Sequence, residues 1–163
     1  QKVFQGRSLA SAKKQVDVLQ NRQRALAVEL VQGVLRWRWK LEALLNLLMK
    51  KPLRSKEREV KLLLLLALYE LMELSTPEYA VVNESVQLSR SLNKTWASGL
   101  INGVLRSFTR DRQAYLSSLD ADDVANYSHP EWMINLLRKD WPQHWQQILQ
   151  ANNQPGNSNP VWN

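Results

Sequence analysis

Two runs of this sequence combine residue types that can do chemistry on a polyanion. In the first, Arg36, Arg38 and Lys40 alternate with Trp37 and Trp39. Guanidinium and ammonium groups neutralise phosphates and indole faces stack on unpaired bases, so the alternation suits a nucleic-acid strand. In the second, Lys50, Lys51, Arg54, Lys56, Arg58 and Lys61 crowd a helix–loop–helix corner with only Glu57 and Glu59 between them. Such a corner makes a local positive field beside a helix N-terminus, itself a ready anion site. Each run has a plainer reading: Trp37 as a core residue, the corner as solvated surface.

The charge of the whole chain points the same way. Residues 1–61 hold 15 Lys and Arg against 5 Asp and Glu, while residues 62–163 hold 7 against 10. An asymmetry of that size implies a polyanionic partner for the first part, with nucleic acid the leading candidate.

Catalytic constellations are missing. There is no cysteine, which excludes a disulfide framework, a thiolate metal site and a cysteine nucleophile, and fits a reducing compartment. His129 and His144 have no carboxylate at metal-ligand spacing, so no metal is expected. Asp120, Asp122 and Asp123 sit where acids favour a helix N-terminus rather than as an acid/base pair. No glycine-rich phosphate loop or nucleophile elbow occurs. The expectation is a module without catalytic machinery of its own.

The elements that must position the basic runs read as helices throughout. Leu, Gln, Lys, Arg, Glu and Ala fill the length, and alternating β-branched runs are nearly absent, so the fold class is all-α. A Gln5-Gly6 stop precedes a helix opened by Ser8. Residues 22–49 have helical period, with Leu26, Leu30, Val34 and Trp37 on one side. A straight helix would carry Arg38 into that apolar face, which predicts a break near Arg36–Trp39 and a second helix, Lys40–Lys50, stopping before Pro52. Ser55 is the expected N-cap of a helix over 55–74 that is apolar almost all round from Leu62 and therefore central. Thr76-Pro77-Glu78 opens another helix to about Leu92, and Trp96–Arg110 follows. In it Gly99 and Gly103 lie four apart, spacing that predicts close packing against a neighbouring helix. Beyond Asp111, short helices start near Asp123, Glu131 and Trp141, with Trp132, Trp141 and Trp145 expected in a small second core. The longest apolar run, Leu62–Tyr69, falls far short of the roughly 18 residues of a membrane span, and no signal peptide is visible, so a cytoplasmic location is expected. A first residue of Gln in place of Met suggests a trimmed chain.

Three segments carry a family resemblance. Gly33-Val34-Leu35-Arg36, Val82-Asn83-Glu84-Ser85-Val86 and Gly99-Leu100-Ile101-Asn102-Gly103-Val104-Leu105-Arg106 stand in the order seen in NusB-like domains. The resemblance implies a helical bundle used in RNA binding over residues 1–112, with Arg106 added to the candidate RNA contacts. The continuation differs from free-standing NusB. Tyr127-Ser128-His129-Pro130-Glu131-Trp132, Trp141-Pro142 and Ala151-Asn152-Asn153-Gln154-Pro155 resemble the small helical linker, residues 113–155 here, of the Fmu/Sun family of bacterial 16S rRNA cytosine-C5 methyltransferases. Residues 156–163 echo the family's next strand only loosely and are read as tail. The resemblance implies 16S ribosomal RNA and the chain's own C-terminal catalytic domain as partners, with S-adenosylmethionine as cofactor of that absent domain. That family's chemistry adds a cysteine thiolate to C6 of cytosine, which a chain without cysteine cannot do. The alternative implied by NusB itself is a protein–protein or transcription-antitermination module. A membrane-surface helix fits poorly, because the cations sit at helix ends.

Overall fold

The computed structural model describes residues 9–155, and the expected Gln5-Gly6 stop, the Ser8 start and the tail 156–163 lie outside them. Nine α-helices and no strand occur among the described residues, in an all-α NusB-like bundle: α1 (Leu9–Arg36), α2 (Arg38–Leu48), α3 (Arg58–Glu73), α4 (Glu78–Ser91), α5 (Ser98–Arg110), α6 (Arg112–Leu119), α7 (Asp123–Tyr127), α8 (Glu131–Asp140) and α9 (Trp145–Asn152).

The break between α1 and α2 falls at Trp37, whose backbone leaves helical geometry at φ −100° and ψ 17°. The ladder bends without being lost, because Trp37 N–H donates to Gly33 O at 2.9 Å and Leu41 N–H to Trp37 O at 2.8 Å. The turn rotates Val34 and Leu41 into the core and sends Arg38 to solvent. Along α1, Val34 is buried, Leu30 and Trp37 are half-buried and Leu26 is exposed. After α2 the chain leaves helix at Met49, before Pro52.

Helix α3 is the centre of the bundle, with Val60, Leu63, Leu64, Leu65, Ala67, Leu68, Tyr69 and Leu71 all buried. Two expectations about it need correction. Its N-cap position is Glu57, not Ser55, and no side chain caps it. Residues 54–57 instead form a tight turn closed by Glu57 N–H donating to Arg54 O at 2.8 Å, so helix begins only at Arg58. Leu62, expected to be covered, is 52% exposed. It shares a narrow outward stripe with Glu59, Leu66, Glu70 and Glu73, spaced by three or four residues, so the helix does keep one polar-edged face.

Helix α4 starts from Pro77, and Thr76 makes no capping bond there. It ends in a Schellman closure: Asn93 takes the left-handed conformation (φ 57°), Lys94 N–H donates to Ser89 O at 2.8 Å and Asn93 N–H to Arg90 O at 3.0 Å. One turn of 3-10 helix, Thr95–Ala97, leads into α5, which buries Ile101, Val104, Leu105 and Phe108. The close packing expected at Gly99 and Gly103 is absent, since a Cβ at either position would meet nothing within 4 Å. The glycine that does sit under a neighbour is Gly33, where an added Cβ would run into the Tyr69 ring of α3.

Leu119 of α6 and Ala125 of α7 join the same core. Asp122 caps α7 by accepting from Val124 N–H at 3.0 Å. The expected tryptophan cluster does not form: Trp132 is 65% and Trp141 55% exposed. Ile134 and Leu149 are the buried apolar residues of α8 and α9, because Trp132 and Leu136 share the opposite, outer side of α8. Trp145 alone turns inward, edge-on to Tyr127 at 5.3 Å between ring centroids, with the Arg138 guanidinium over its face at 4.4 Å.

Candidate nucleic-acid interface

The break at Trp37 decides where the first basic run points. Arg36, the last residue of α1, lines a cleft with Glu29, Glu73 and Tyr69. Burial pushes the Tyr69 phenol up, Glu29 and Glu73 push it further, and Arg36 opposes them. Arg36 therefore shares its cleft with acids of α1 and α3. Lys40 is half-buried: its Nζ lies over the Trp37 ring at 5.5 Å and its backbone N–H donates to Ser128 Oγ at 3.3 Å, tying α2 to the end of α7. Ser128 is buried and left-handed (φ 54°), the conformation that aims its hydroxyl at α2. Arg38 projects outward over Trp39, its guanidinium 5.5 Å from the ring centroid. The alternating run is thus divided: Arg38 and Trp39 face solvent, Trp37 and Lys40 pack between helices, and Arg36 lines the cleft between α1 and α3.

The two basic runs meet at one carboxylate. Glu42 of α2 lies 3.3 Å from Arg38 Nε and 3.4 Å from Lys61 Nζ. These are solvent-screened contacts that fix orientation more than they stabilise. Two cations against one acid leave net positive charge on that α2–α3 surface.

Further along the corner, Arg54, Lys56 and Arg58 are exposed, and Arg58 Nε approaches Ser55 O at 3.4 Å. Lys50 and Lys51 follow α2 and, with Leu48, Met49 and Leu53, form one wall of a shallow groove of about 630 Å³. The other wall is the face of α5 that carries Gly99 and Gly103. Gly99 also lines a second groove of about 660 Å³, between α4 and α5, where Arg106, Arg90, Asn83, Asn102 and Tyr79 stand. Arg106 Nε donates to Asn102 Oδ1 at 2.9 Å, which holds the guanidinium along the helix face. Lys50, Lys51 and Arg106 therefore border one uncovered glycine face from two sides.

Three residues of this surface escaped the sequence reading. Tyr79 and Arg90 share a face of α4 with Asn83 and Val86, a spacing of four, three and four that was available as a signal. Lys94 gave no local signal: it pairs with Glu57, 37 positions away, at 3.1 Å, and secures the start of α3 to the turn before α5.

Neither histidine departs from a helix-end role. His129 Nδ1 lies 2.6 Å from Tyr127 O, and His144 occupies the N-cap position of α9. Among the described residues no group of three or more His, Asp or Glu is placed to hold a metal ion, and no helix is long and apolar enough to cross a membrane.

The family model for the NusB family matches residues 2–110, which spans α1 to α5 and both grooves. The chain belongs to the NusB family. Residues 129–159 match a second model, the ferredoxin-like domain of RsmF/B-like methyltransferases. The described part of that stretch is α8 and α9, so helices and no strand of such a domain are seen here. This NusB-family chain is 39% identical over 139 residues to ribosomal RNA small subunit methyltransferase B of Pseudomonas syringae pv. tomato, covering 85% of this chain and 31% of that protein. The protein of the same name from Klebsiella pneumoniae is 37% identical over 163 residues, 99% of this chain and 37% of its own length. That from Vibrio cholerae is 38% identical over 141 residues, 86% and 32% respectively. The chain thus spans about a third of the length of these relatives.

Proposed function

We propose that this chain is the N-terminal, non-catalytic part of an S-adenosylmethionine-dependent 16S rRNA (cytosine-C5) methyltransferase, where it binds and orients rRNA for a catalytic domain outside the 163 residues. The observation that carries the reading is the uncovered glycine face of α5, bordered by Lys50 and Lys51 on one side and by Arg90 and Arg106 on the other. Two open positions without side chains, Gly99 and Gly103, let a sugar–phosphate backbone approach closely, while four flanking cations neutralise it. The names of the relatives support rRNA as that polyanion. They do not favour the antitermination alternative.

S-adenosylmethionine does not fit the described residues. Gly99 and Gly103 lie inside a helix, not in the strand–loop–helix that cradles such a cofactor, and no strand occurs among the described residues. Binding the methyl donor, and supplying the cysteine that attacks cytosine, fall to the catalytic domain. Mixed with S-adenosylmethionine and unmethylated 16S rRNA, the isolated chain is expected to transfer no methyl group.

The salt dependence of RNA binding tests the reading. About 3–5 phosphate contacts to unpaired RNA give log K a slope against log salt of roughly −2 to −3.5, at about −0.7 per contact. Changing Lys51→Glu, Arg54→Glu and Arg58→Glu together, all exposed, should flatten the slope and weaken binding without loss of helix. Changing Arg110→Glu and Lys139→Glu, in the net-acidic half, should do much less. Equal weakening by both sets would leave only diffuse attraction, and no RNA binding by the unaltered chain would reject the reading.

A further inference from the structure

Tyr79 is 78% exposed in the first turn of α4, the most exposed large apolar or aromatic side chain of the described residues. An aromatic ring left in water at a helix start does nothing for the core. It borders the α4–α5 groove, where two amides, Asn83 and Asn102, and two guanidinium groups, Arg90 and Arg106, stand around the apolar floor of Val82 and Val86. Deepening the rRNA reading, on which it rests, we infer that this groove is a subsite for an unpaired nucleotide of the RNA. In it a base stacks on Tyr79 and the neighbouring phosphates pair with Arg106 and Arg90.

The placement follows from the helix pair. A short connection, residues 92–97, joins α4 and α5, which makes them antiparallel neighbours. The start of α4, with Tyr79, therefore lies beside the latter half of α5, with Arg106. The end of α4, with Arg90, lies beside Gly99 at the start of α5. Tyr79 and Arg90 are eleven residues apart, roughly 16 Å along a helix at 1.5 Å per residue, a track longer than one nucleotide. The track continues past Gly99 into the groove of Lys50 and Lys51.

Each group has a distinct task. The Tyr79 ring offers a π-face to any base, and stacking of this kind tolerates sequence. Asn83 and Asn102 carry both donors and acceptors, as the edges of an unpaired base require. Arg106 spends its Nε on Asn102 Oδ1 and keeps both Nη groups for a phosphate. Glu78, next to Tyr79 on α4, disfavours phosphate on the α4 side of the ring, so the base occupies the space over the ring and the phosphate falls to Arg106 across the groove. A base paired in a duplex has neither face free, so the subsite selects single strands.

The experiment compares the 163-residue chain with Tyr79→Ala, Tyr79→Phe and the double variant Arg90→Gln with Arg106→Gln, on a single-stranded oligoribonucleotide and on a fully paired RNA hairpin of matched length. Tyr79→Ala should weaken single-strand binding at least about fivefold at unchanged salt slope, since stacking is worth on the order of 1–3 kcal/mol per base. Tyr79→Phe should bind as the unaltered chain does, because it keeps the ring. The arginine pair should make the slope shallower by about 1.4, two contacts at roughly 0.7 each. Hairpin binding should respond to none of the tyrosine changes. An unaltered affinity in Tyr79→Ala overturns the subsite while leaving the rRNA reading intact, and so does a Phe variant as weak as Ala. Failure of the unaltered chain to bind either RNA overturns both.

Discussion

Glycines of α1 and α5 show what one residue type does in two surroundings. Gly33 lies on α1 where α3 brings the ring of Tyr69 against its backbone, so the missing side chain is what lets the two helices approach. Gly99 and Gly103 lie on α5 with no atom near the space a Cβ would fill. Intrinsic propensity penalises all three alike, by up to about 1 kcal/mol relative to alanine. At Gly33 packing of a buried aromatic offsets the cost within the fold. At Gly99 and Gly103 nothing in the fold does, which is why that face is read as a place for something outside the fold.

The largest expected effect lies on the closed side. Leu64 is fully buried in α3 and Leu62, two residues earlier, is 52% exposed. Leu64→Ala should cost about 2–5 kcal/mol in chemical denaturation, and Leu62→Ala only a few tenths, about 0.5 kcal/mol or less. Similar losses at both positions would mean that α3 is covered on every side, and the contrast with α5 would weaken.

Gly33→Ala comes next. Its Cβ collides with the ring of Tyr69, a residue buried on its own account, so relief requires moving the α1–α3 contact. Overpacking of this kind costs roughly 1–3 kcal/mol, more than the propensity gained. Pairing it with Tyr69→Ala should recover part of the loss, because the obstacle is gone. A Gly33→Ala chain as stable as the unaltered one would show that the ring yields freely.

How much of this was legible depended on whether a signal was local. The break at Trp37 could be read because a straight helix would bury Arg38, and the sequence itself holds that contradiction. The centrality of α3 could be read from the run Leu62–Tyr69, but its outward stripe was hidden because Leu62 and Leu66 occupy the middle of a face otherwise marked by Glu59, Glu70 and Glu73. Ser55 looked like a cap because hydroxyls often are, yet the Arg54–Glu57 turn moved the cap position two residues on, to Glu57. The basic runs were legible as charge but not as direction. Arg36 shares its cleft with Glu73, and the Lys40 backbone N–H meets Ser128, residues 37 and 88 positions away, which no window of sequence contains. The same holds for the α4–α5 groove, where Arg106 was recognised through its family segment and Tyr79 and Arg90 were not.

The smallest effect on stability carries the most information about function. Gly103→Ala and Gly99→Ala meet open space, take no left-handed backbone and replace a poor helix former, so each should raise stability by about 0.5–1 kcal/mol. Thermal unfolding would register this as a rise of a few degrees at most for a domain of this size. A longer side chain separates the two roles of the position. Gly99→Leu keeps the gain in helix propensity but fills the junction between the Lys51 groove and the Arg90–Arg106 groove. If RNA crosses that junction, its affinity for the chain falls while the melting temperature rises, opposite movements that a merely damaged fold cannot produce. If Gly99→Leu raises the melting temperature and leaves RNA affinity unchanged, RNA does not pass over α5, and the basic corner at Arg54, Lys56 and Arg58 must hold it alone.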